Sequence, residues 1–334
     1  MIEPFSLHLS SPLSTANGNL TEREGFLFLS RDGVGEATPL PGWTESLDAC
    51  RDALTTADAT DDWEAALDAC ADAPAARHAV SLARLDAEST GENEPLYRSL
   101  GATERVESVP VNATVGDAGV EETVAAVREA VSAGFDCVKL KVGARPVEDD
   151  VERVAAVREE APEVELRADA NGAWTREQAN RAFAALSDVD LAYVEQPLEP
   201  TDLAGHRALR EYETGVALDE SLAEVSVSDV LDVDAADALI LKPMALGGVD
   251  RARSAALEAR RQGVDAVVTT TIDAVVARTA AVHLAASLPD VPACGLATAD
   301  MLDSDLAPDP APVEDGRAAV PQGNGNMPAP PTVE

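Results

Sequence analysis

The chain has 334 residues, 46% of them apolar, which is enough for one barrel-sized core and a smaller unit beside it. Its 61 acidic residues against 25 basic ones give a formal charge of −36, which argues against nucleic acid and against membranes of anionic lipid as partners. So acidic a composition can mark disorder, but the acids here alternate with apolar residues at helical spacing, as in residues 120–133 and 147–160, so the chain is expected to fold.

Few lysines, abundant alanine and 3% aromatic residues fit a protein from a salt-rich cytoplasm, where salt screens the self-repulsion. There is no basic-then-apolar N-terminal signal and no apolar run long enough to span a bilayer, so a cytoplasmic protein without membrane attachment is expected. Cys50, Cys70, Cys137 and Cys294 are widely spaced and form no CxxC pattern, which predicts buried free thiols.

In chain order, residues 5–9, 24–30 and 35–38 read as antiparallel strands joined by Gly/Asn turns. Helical spacing follows near 44–55, 62–71 and 75–89, making residues 1–107 an α+β unit. From there two patterns alternate. Short β-rich runs at 109–115, 137–142, 165–168, 191–194, 216–218, 238–241, 266–269 and 293–297 are separated by amphipathic, Ala-rich segments. Strict alternation implies a parallel sheet, and eight strands with seven helices over residues 108–300 favour a closed barrel. The Pro-, Asp- and Gly-rich tail, 301–334, reads as a return to the first unit.

A β/α barrel carries its active site at the C-terminal ends of its strands. The second run holds Lys139 and Lys141, two apart and so on one face. Two enclosed ammonium groups should lower each other's pKa, as a lysine base requires. The third, fourth and fifth runs end at Asp169, Glu195 and Asp219, each about one βα unit after the last. Three carboxylates converging from adjacent strands call for a cation, and hard oxygen ligands suit Mg²⁺, with Mn²⁺ as a substitute. The sixth run ends at Lys242, which approaches from the side opposite the first lysine pair. Such a site suits removal of a proton α to a carboxylate, with Lys141 and Lys242 as the catalytic candidates. His8, His78, His206 and His283 lie away from strand ends and read as surface or packing residues. Gly247-Gly248 reads as a βα turn, and Asp300 and Asp303 as loop residues.

The order KLK, DAN, VEQP, LDES, LKP resembles the muconate-lactonizing subgroup of the enolase superfamily, whose sites pair lysine bases with divalent metal. Within it, the segment from Gly33 to Trp43 resembles the GE-x-x-PLPG segment of o-succinylbenzoate synthases, as do Arg23-Glu24-Gly25 and Val109-Pro110-Val111-Asn112-Ala113. Thr269-Thr270-Thr271 stands where that family usually has serines, and Gly323-Asn324-Gly325-Asn326-Met327 departs from its Gly-rich closing motif.

The resemblance implies a modified (β/α)₇β barrel with an N-terminal α+β cap completed by the C-terminal tail. It implies a carbon–oxygen lyase of menaquinone biosynthesis acting on a small carboxylate, 2-succinyl-6-hydroxy-2,4-cyclohexadiene-1-carboxylate. Asp169, Glu195 and Asp219 would hold the metal. Lys139, Asn171, Thr270, Thr271 and Gly295 would line the substrate, with Glu220 and Asn171 as polar support. The alternative is an N-acylamino acid racemase or dipeptide epimerase that uses Lys141 and Lys242 as bases on opposite faces. The sequence leaves a homo-oligomer open.

Overall fold

A computed structural model describes residues 1–15, 18–30 and 32–327; the last seven residues of the expected C-terminal return lie outside the described residues. The chain opens with three antiparallel strands, β1 (Ile2–Thr15), β2 (Gly18–Leu29) and β3 (Val34–Ala37), in the order β1-β2-β3. Four helices follow: α1 (Leu47–Ala57), α2 (Trp63–Ala69), α3 (Pro74–Glu92) and α4 (Leu96–Ser99). Ser46 and Asp62 cap α1 and α2 by accepting backbone N–H bonds, as their short polar side chains favour.

The single run expected at 109–115 is two strands in two sheets. The first, β4 (Ser108–Pro110), pairs antiparallel with the tail, whereas β5 (Ala113–Val115) begins the barrel. The switch falls where Pro110 lacks an N–H, the Val111 N–H bonds Gly316 and the Asn112 N–H bonds Cys294, so consecutive backbone groups serve different partners.

The barrel continues as α5 (Val120–Ser132), β6 (Cys137–Lys141), α6 (Val147–Glu160), β7 (Glu165–Asp169), α7 (Arg176–Leu186), β8 (Leu191–Glu195), α8 (Leu203–Leu209) and β9 (Gly215–Leu218). Two helical pieces, α9 (Ser221–Glu224) and α10 (Val227–Asp232), stand where one helix was expected before β10 (Ala238–Leu241). Two more, α11 (Pro243–Leu246) and α12 (Val249–Arg261), precede β11 (Asp265–Val268), and α13 (Val275–Ala286) follows it. The left-handed Gly247 and Gly248 break the helix between α11 and α12.

Strands β5 to β11 form one parallel sheet in sequential order. The eighth run is too short for a ladder, but it joins the sheet's two edges. Cys294 bridges Val111 at one edge and Gly295 bridges Thr269 at the other. Gly295 is required there by close approach, since a Cβ would overlap Thr269 Oγ1. The fold is thus a TIM-like α/β barrel with an α+β cap.

Period-2 alternation sorts the barrel side chains. Val138, Leu140, Leu166, Ala168, Val194 and Leu218 face the helices in the main core. Tyr193, Ala217, Ala238, Ile240 and Val267 form a separate apolar layer. Arg167 lies over the Tyr193 ring at 5.0 Å and reaches the Ala293 carbonyl at 2.7 Å, tying the closing segment to the barrel.

Polar groups stitch the cap to the barrel. Buried Glu36 on β3 accepts the Ala274 and Ala277 N–H groups, both at 2.8 Å, and so caps α13 from outside its own helix. Arg77 of α3 forks onto Asp250 of α12 at 2.9 and 3.1 Å. The tail forms β12 (Val313–Glu314) and β13 (Arg317–Ala319), and β13 pairs with β4. Gly325 then bridges Pro95, and the Asn326 N–H bonds Asp86 of α3 at 2.7 Å. All four cysteines are buried free thiols. Among the described residues no helix is long and apolar enough to cross a membrane.

Candidate active site

The charged strand ends meet at one mouth of the barrel, and they meet through the lysines. Lys139 Nζ donates to Glu195 at 2.9 and 3.0 Å and to Asp169 Oδ2 at 3.1 Å. Lys141 Nζ donates to the same Asp169 oxygen at 2.6 Å and to Asn171 Oδ1 at 2.8 Å. Across the mouth, Lys242 Nζ donates to Asp219 Oδ2 at 2.6 Å. Asn171 passes the network on through Nδ2 to Glu220 Oε1 at 2.9 Å. The Asp169, Glu195 and Asp219 carboxylates are buried, whereas the lysines differ: the Lys141 side chain is 36% exposed and that of Lys242 13%.

Backbone conformation at the strand ends is specific. Asn171 and Gln196 both adopt positive φ, at 44° and 41°, which is uncommon outside glycine. Gln196 is fully buried, and its Oε1 accepts the N–H groups of Asp219 and Ser221 at 3.1 and 3.0 Å. Its Nε2 donates to Ser221 Oγ and the Leu198 carbonyl. The side chain after β8 therefore fixes the end of β9. The VEQP motif contained this glutamine without revealing that work.

The electrostatics correct one expectation. Burial alone would push Lys139 down, but Glu195, Asp169 and Asp219 outweigh it and hold its ammonium well above the usual lysine range. The neighbouring carboxylates, not the second lysine, dominate. Burial would likewise lift Asp169, yet Lys139 and Lys141 hold it below the usual carboxylate range. Burial pushes Glu195 up to about 8, with the Asp169 charge adding to it, and pushes Asp219 up to about 6. Burial also raises Glu220.

Four carboxylates thus share three ammonium groups, and burial, with like charge beside it, raises the proton affinity of Glu195, Asp219 and Glu220. Two buried oxygens, Asp219 Oδ1 and Glu220 Oε2, have no hydrogen-bond partner. A hard cation would answer both features, so the donor set fits one. Among the described residues, no three His, Cys, Asp or Glu side chains are gathered closely enough to enclose an ion, because ammonium groups stand between the carboxylates.

The other expected residues are placed differently. Thr270 Oγ1 pairs with Thr298 Oγ1 at 3.1 Å and accepts the Ile272 N–H. Thr271 is committed to Asp273, and the Gly295 backbone closes the barrel. The positive φ of 61° at Ile272, in a β-branched residue, marks this loop as strained. His78, His206 and His283 are buried packing residues.

Two cap residues that lie in the quoted motifs make contacts the motifs did not reveal. Trp43 lies with its ring centre 3.4 Å from Lys242 Nζ. Buried Arg23 donates to the carbonyls of Thr38 and Pro39 in the cap and of Ile272 in the barrel, at 2.7, 3.1 and 3.2 Å. A sequence cannot pair residues so far apart, although the motif from Gly33 to Trp43 marked the segment that carries the indole.

Residues 122–326 match the family described as enolase C-terminal domain-like. An o-succinylbenzoate synthase of Thermobifida fusca (strain YX) is 41% identical over 210 residues, 61% of this chain and 64% of that relative, so the chain spans a little under two thirds of its length. In three dimensions the substrate-liganded L-Ala-D/L-Glu epimerase of Bacillus subtilis superposes with a TM-score of 0.87 at 25% identity, covering 98% of this chain and 96% of that one. A dipeptide epimerase of Methylococcus capsulatus, complexed with Mg and the dipeptide L-Arg-D-Lys, gives 0.85 at 26% identity, with 98% and 97% covered. With the family match running over more than half its length and the whole fold shared, the chain belongs to the enolase C-terminal domain-like family.

Proposed function

We propose that this chain is a metal-dependent carbon–oxygen lyase that dehydrates 2-succinyl-6-hydroxy-2,4-cyclohexadiene-1-carboxylate to 2-succinylbenzoate, a step of menaquinone biosynthesis. One observation carries the reading beyond the 41% identical synthase: the two facing lysines are held unequally. Lys141 stands at the mouth, 36% exposed, whereas Lys242 is enclosed between Asp219 and Trp43. One accessible acid/base and one fixed cation suit elimination from a single face. An epimerase needs two bases that each reach the α-carbon.

In this reading Asp169, Glu195 and Asp219 would hold Mg²⁺, or Mn²⁺ in its place. Such an ion would supply positive charge near the substrate carboxylate, which acidifies the neighbouring C–H. Lys141, entering the cycle as the neutral amine, takes that proton from the α-carbon and becomes the ammonium. The electron pair left behind forms the new C=C bond as the C–O bond breaks, and Lys141 returns the proton to the departing hydroxyl, releasing water. Aromatisation of the ring provides the driving force. Lys242 presents its ammonium from the opposite side and stabilises the negative charge that develops. Lys139 ion-pairs with Asp169 and Glu195, and Asn171 holds the Lys141 side chain in place.

Ultraviolet absorbance of the aromatic product tests the proposal. Purified enzyme should aromatise the cyclohexadiene carboxylate, lose the activity to a chelator and regain it with Mg²⁺ or Mn²⁺. Efficient epimerisation of dipeptides or N-acylamino acids without aromatisation would replace this reading with the alternative.

A further inference from the structure

Lys242 is touched directly by the cap. The touching segment, residues 38–45, is anchored at each end and in the middle. At its start, Arg23 draws the Thr38 and Pro39 carbonyls toward the barrel loop at Ile272. In its centre, a tight turn bonds the Trp43 and Thr44 N–H groups to the Leu40 carbonyl, both at 3.0 Å, while Thr44 Oγ1 accepts the Leu40 N–H at 2.8 Å. Gly42, at φ 87°, supplies the left-handed step this turn needs. At its end, the Glu45 carboxylate accepts the Ala75 and Ala76 N–H groups at the start of α3, at 3.0 and 2.9 Å. The half-buried indole of Trp43 therefore sits on a braced platform.

That platform delivers the ring to 3.4 Å from Lys242 Nζ, well inside the roughly 6 Å over which a ring face attracts an ammonium. On its other side the same nitrogen is 2.6 Å from Asp219 Oδ2. A lysine side chain ordinarily samples many rotamers, and holding it costs entropy. Here two attractive partners, one from the barrel and one from the cap, confine it.

We infer that Trp43 is a positioning residue for the reaction: it fixes the Lys242 ammonium against Asp219, so that docking of the cap completes the site. The inference rests on the reading that Lys242 acts in the chemistry. The cap then contributes to turnover by placing a barrel residue.

Two measurements test it, and the first does not depend on activity. The chain has three tryptophans, so enzyme labelled with 5-fluorotryptophan should give three fluorine resonances, with that of Trp43 assigned by Trp43→Phe. Lys242→Met should shift the Trp43 resonance and leave the other two in place. The second measurement is steady-state kinetics. Trp43→Leu should lower kcat by about tenfold, the scale a cation–π contact supports, while KM changes less than about twofold. Trp43→Phe, which keeps an aromatic face, should recover most of the loss.

A Trp43 resonance unmoved by Lys242→Met overturns the inference. So does a rise in KM with kcat intact, which would make Trp43 a wall of the substrate pocket, and so does a Phe variant as slow as the Leu variant. If the wild-type enzyme fails to aromatise the cyclohexadiene carboxylate, the functional reading falls alone, because the fluorine result still decides whether Trp43 and Lys242 are coupled.

Discussion

Glu36→Gln separates electrostatics from packing at the seam between cap and barrel. Glu36 is fully buried and accepts from Ala274 N–H, Ala277 N–H and Thr38 Oγ1, at 2.8, 2.8 and 2.5 Å. Burial pushes its carboxyl up to about 7 from an ordinary 4.5, and the Asp273 charge adds to the rise. A carboxyl raised on folding contributes stability that is complete below its unfolded pKa and is lost as pH climbs through the folded one. Between about pH 4.5 and 8 the wild type should therefore lose about 3 kcal/mol through this residue. Glutamine keeps the shape without the titration. At low pH the variant should be the less stable protein, because its NH₂ must face a backbone N–H at a cost of about 1–3 kcal/mol. As pH rises it should gain on the wild type by about 3 kcal/mol. Urea unfolding followed by far-ultraviolet circular dichroism, at constant molar KCl across that pH range, gives the difference directly. His78 hydrogen-bonds the Glu36 backbone carbonyl, a contact the substitution leaves in place. A difference that stays flat with pH, or that moves against glutamine as pH rises, would refute the argument.

Other outcomes follow from particular contacts. Gly35→Ala should destabilise the protein by about 3 kcal/mol or more in chemical unfolding, because a Cβ there overlaps the Ala79 carbonyl of α3. Transfer from molar to millimolar salt should lower Tm, since the charge of −36 loses its screening; an unchanged Tm would contradict an origin in salt-rich cytoplasm. Asp219→Asn should weaken binding of Mg²⁺, measured calorimetrically, while leaving the far-ultraviolet spectrum unchanged, because the side chain lies at a strand end and its N–H remains held by Gln196.

The barrel was legible because its strands break a simple rule at their ends. Apolar runs that finish in Lys, Asp or Glu at regular intervals have one economical explanation, and the side-chain period of two puts those residues on one face. The same rule could not divide residues 109–115, since a continuous β-rich run does not show that Pro110 and Asn112 serve different sheets. Nor could it resolve α9 from α10, whose boundary depends on Ser226 capping the second piece. Pairing Lys139 with Lys141 by spacing was sound, but the expected fall in the Lys139 pKa ignored carboxylates contributed by the next two strands. Glu36 and Arg23 look like surface charges on polar strands. Only the docking of β2 and β3 against α3, Ile272 and α13 buries them. Contacts across the seam depend on the relative placement of two units, which local pattern does not encode.

In the proposed reaction one lysine performs both proton transfers while the other serves as a fixed cation. Rates of aromatisation in Lys141→Ala, Lys242→Ala and Lys242→Arg, each saturated with Mg²⁺, address it most directly. Arginine keeps the charge but cannot act as a base. Lys141→Ala should abolish dehydration, and Lys242→Arg should retain clearly more activity than Lys242→Ala. Substantial turnover by Lys141→Ala, or a Lys242→Arg enzyme as inactive as Lys242→Ala, would contradict it.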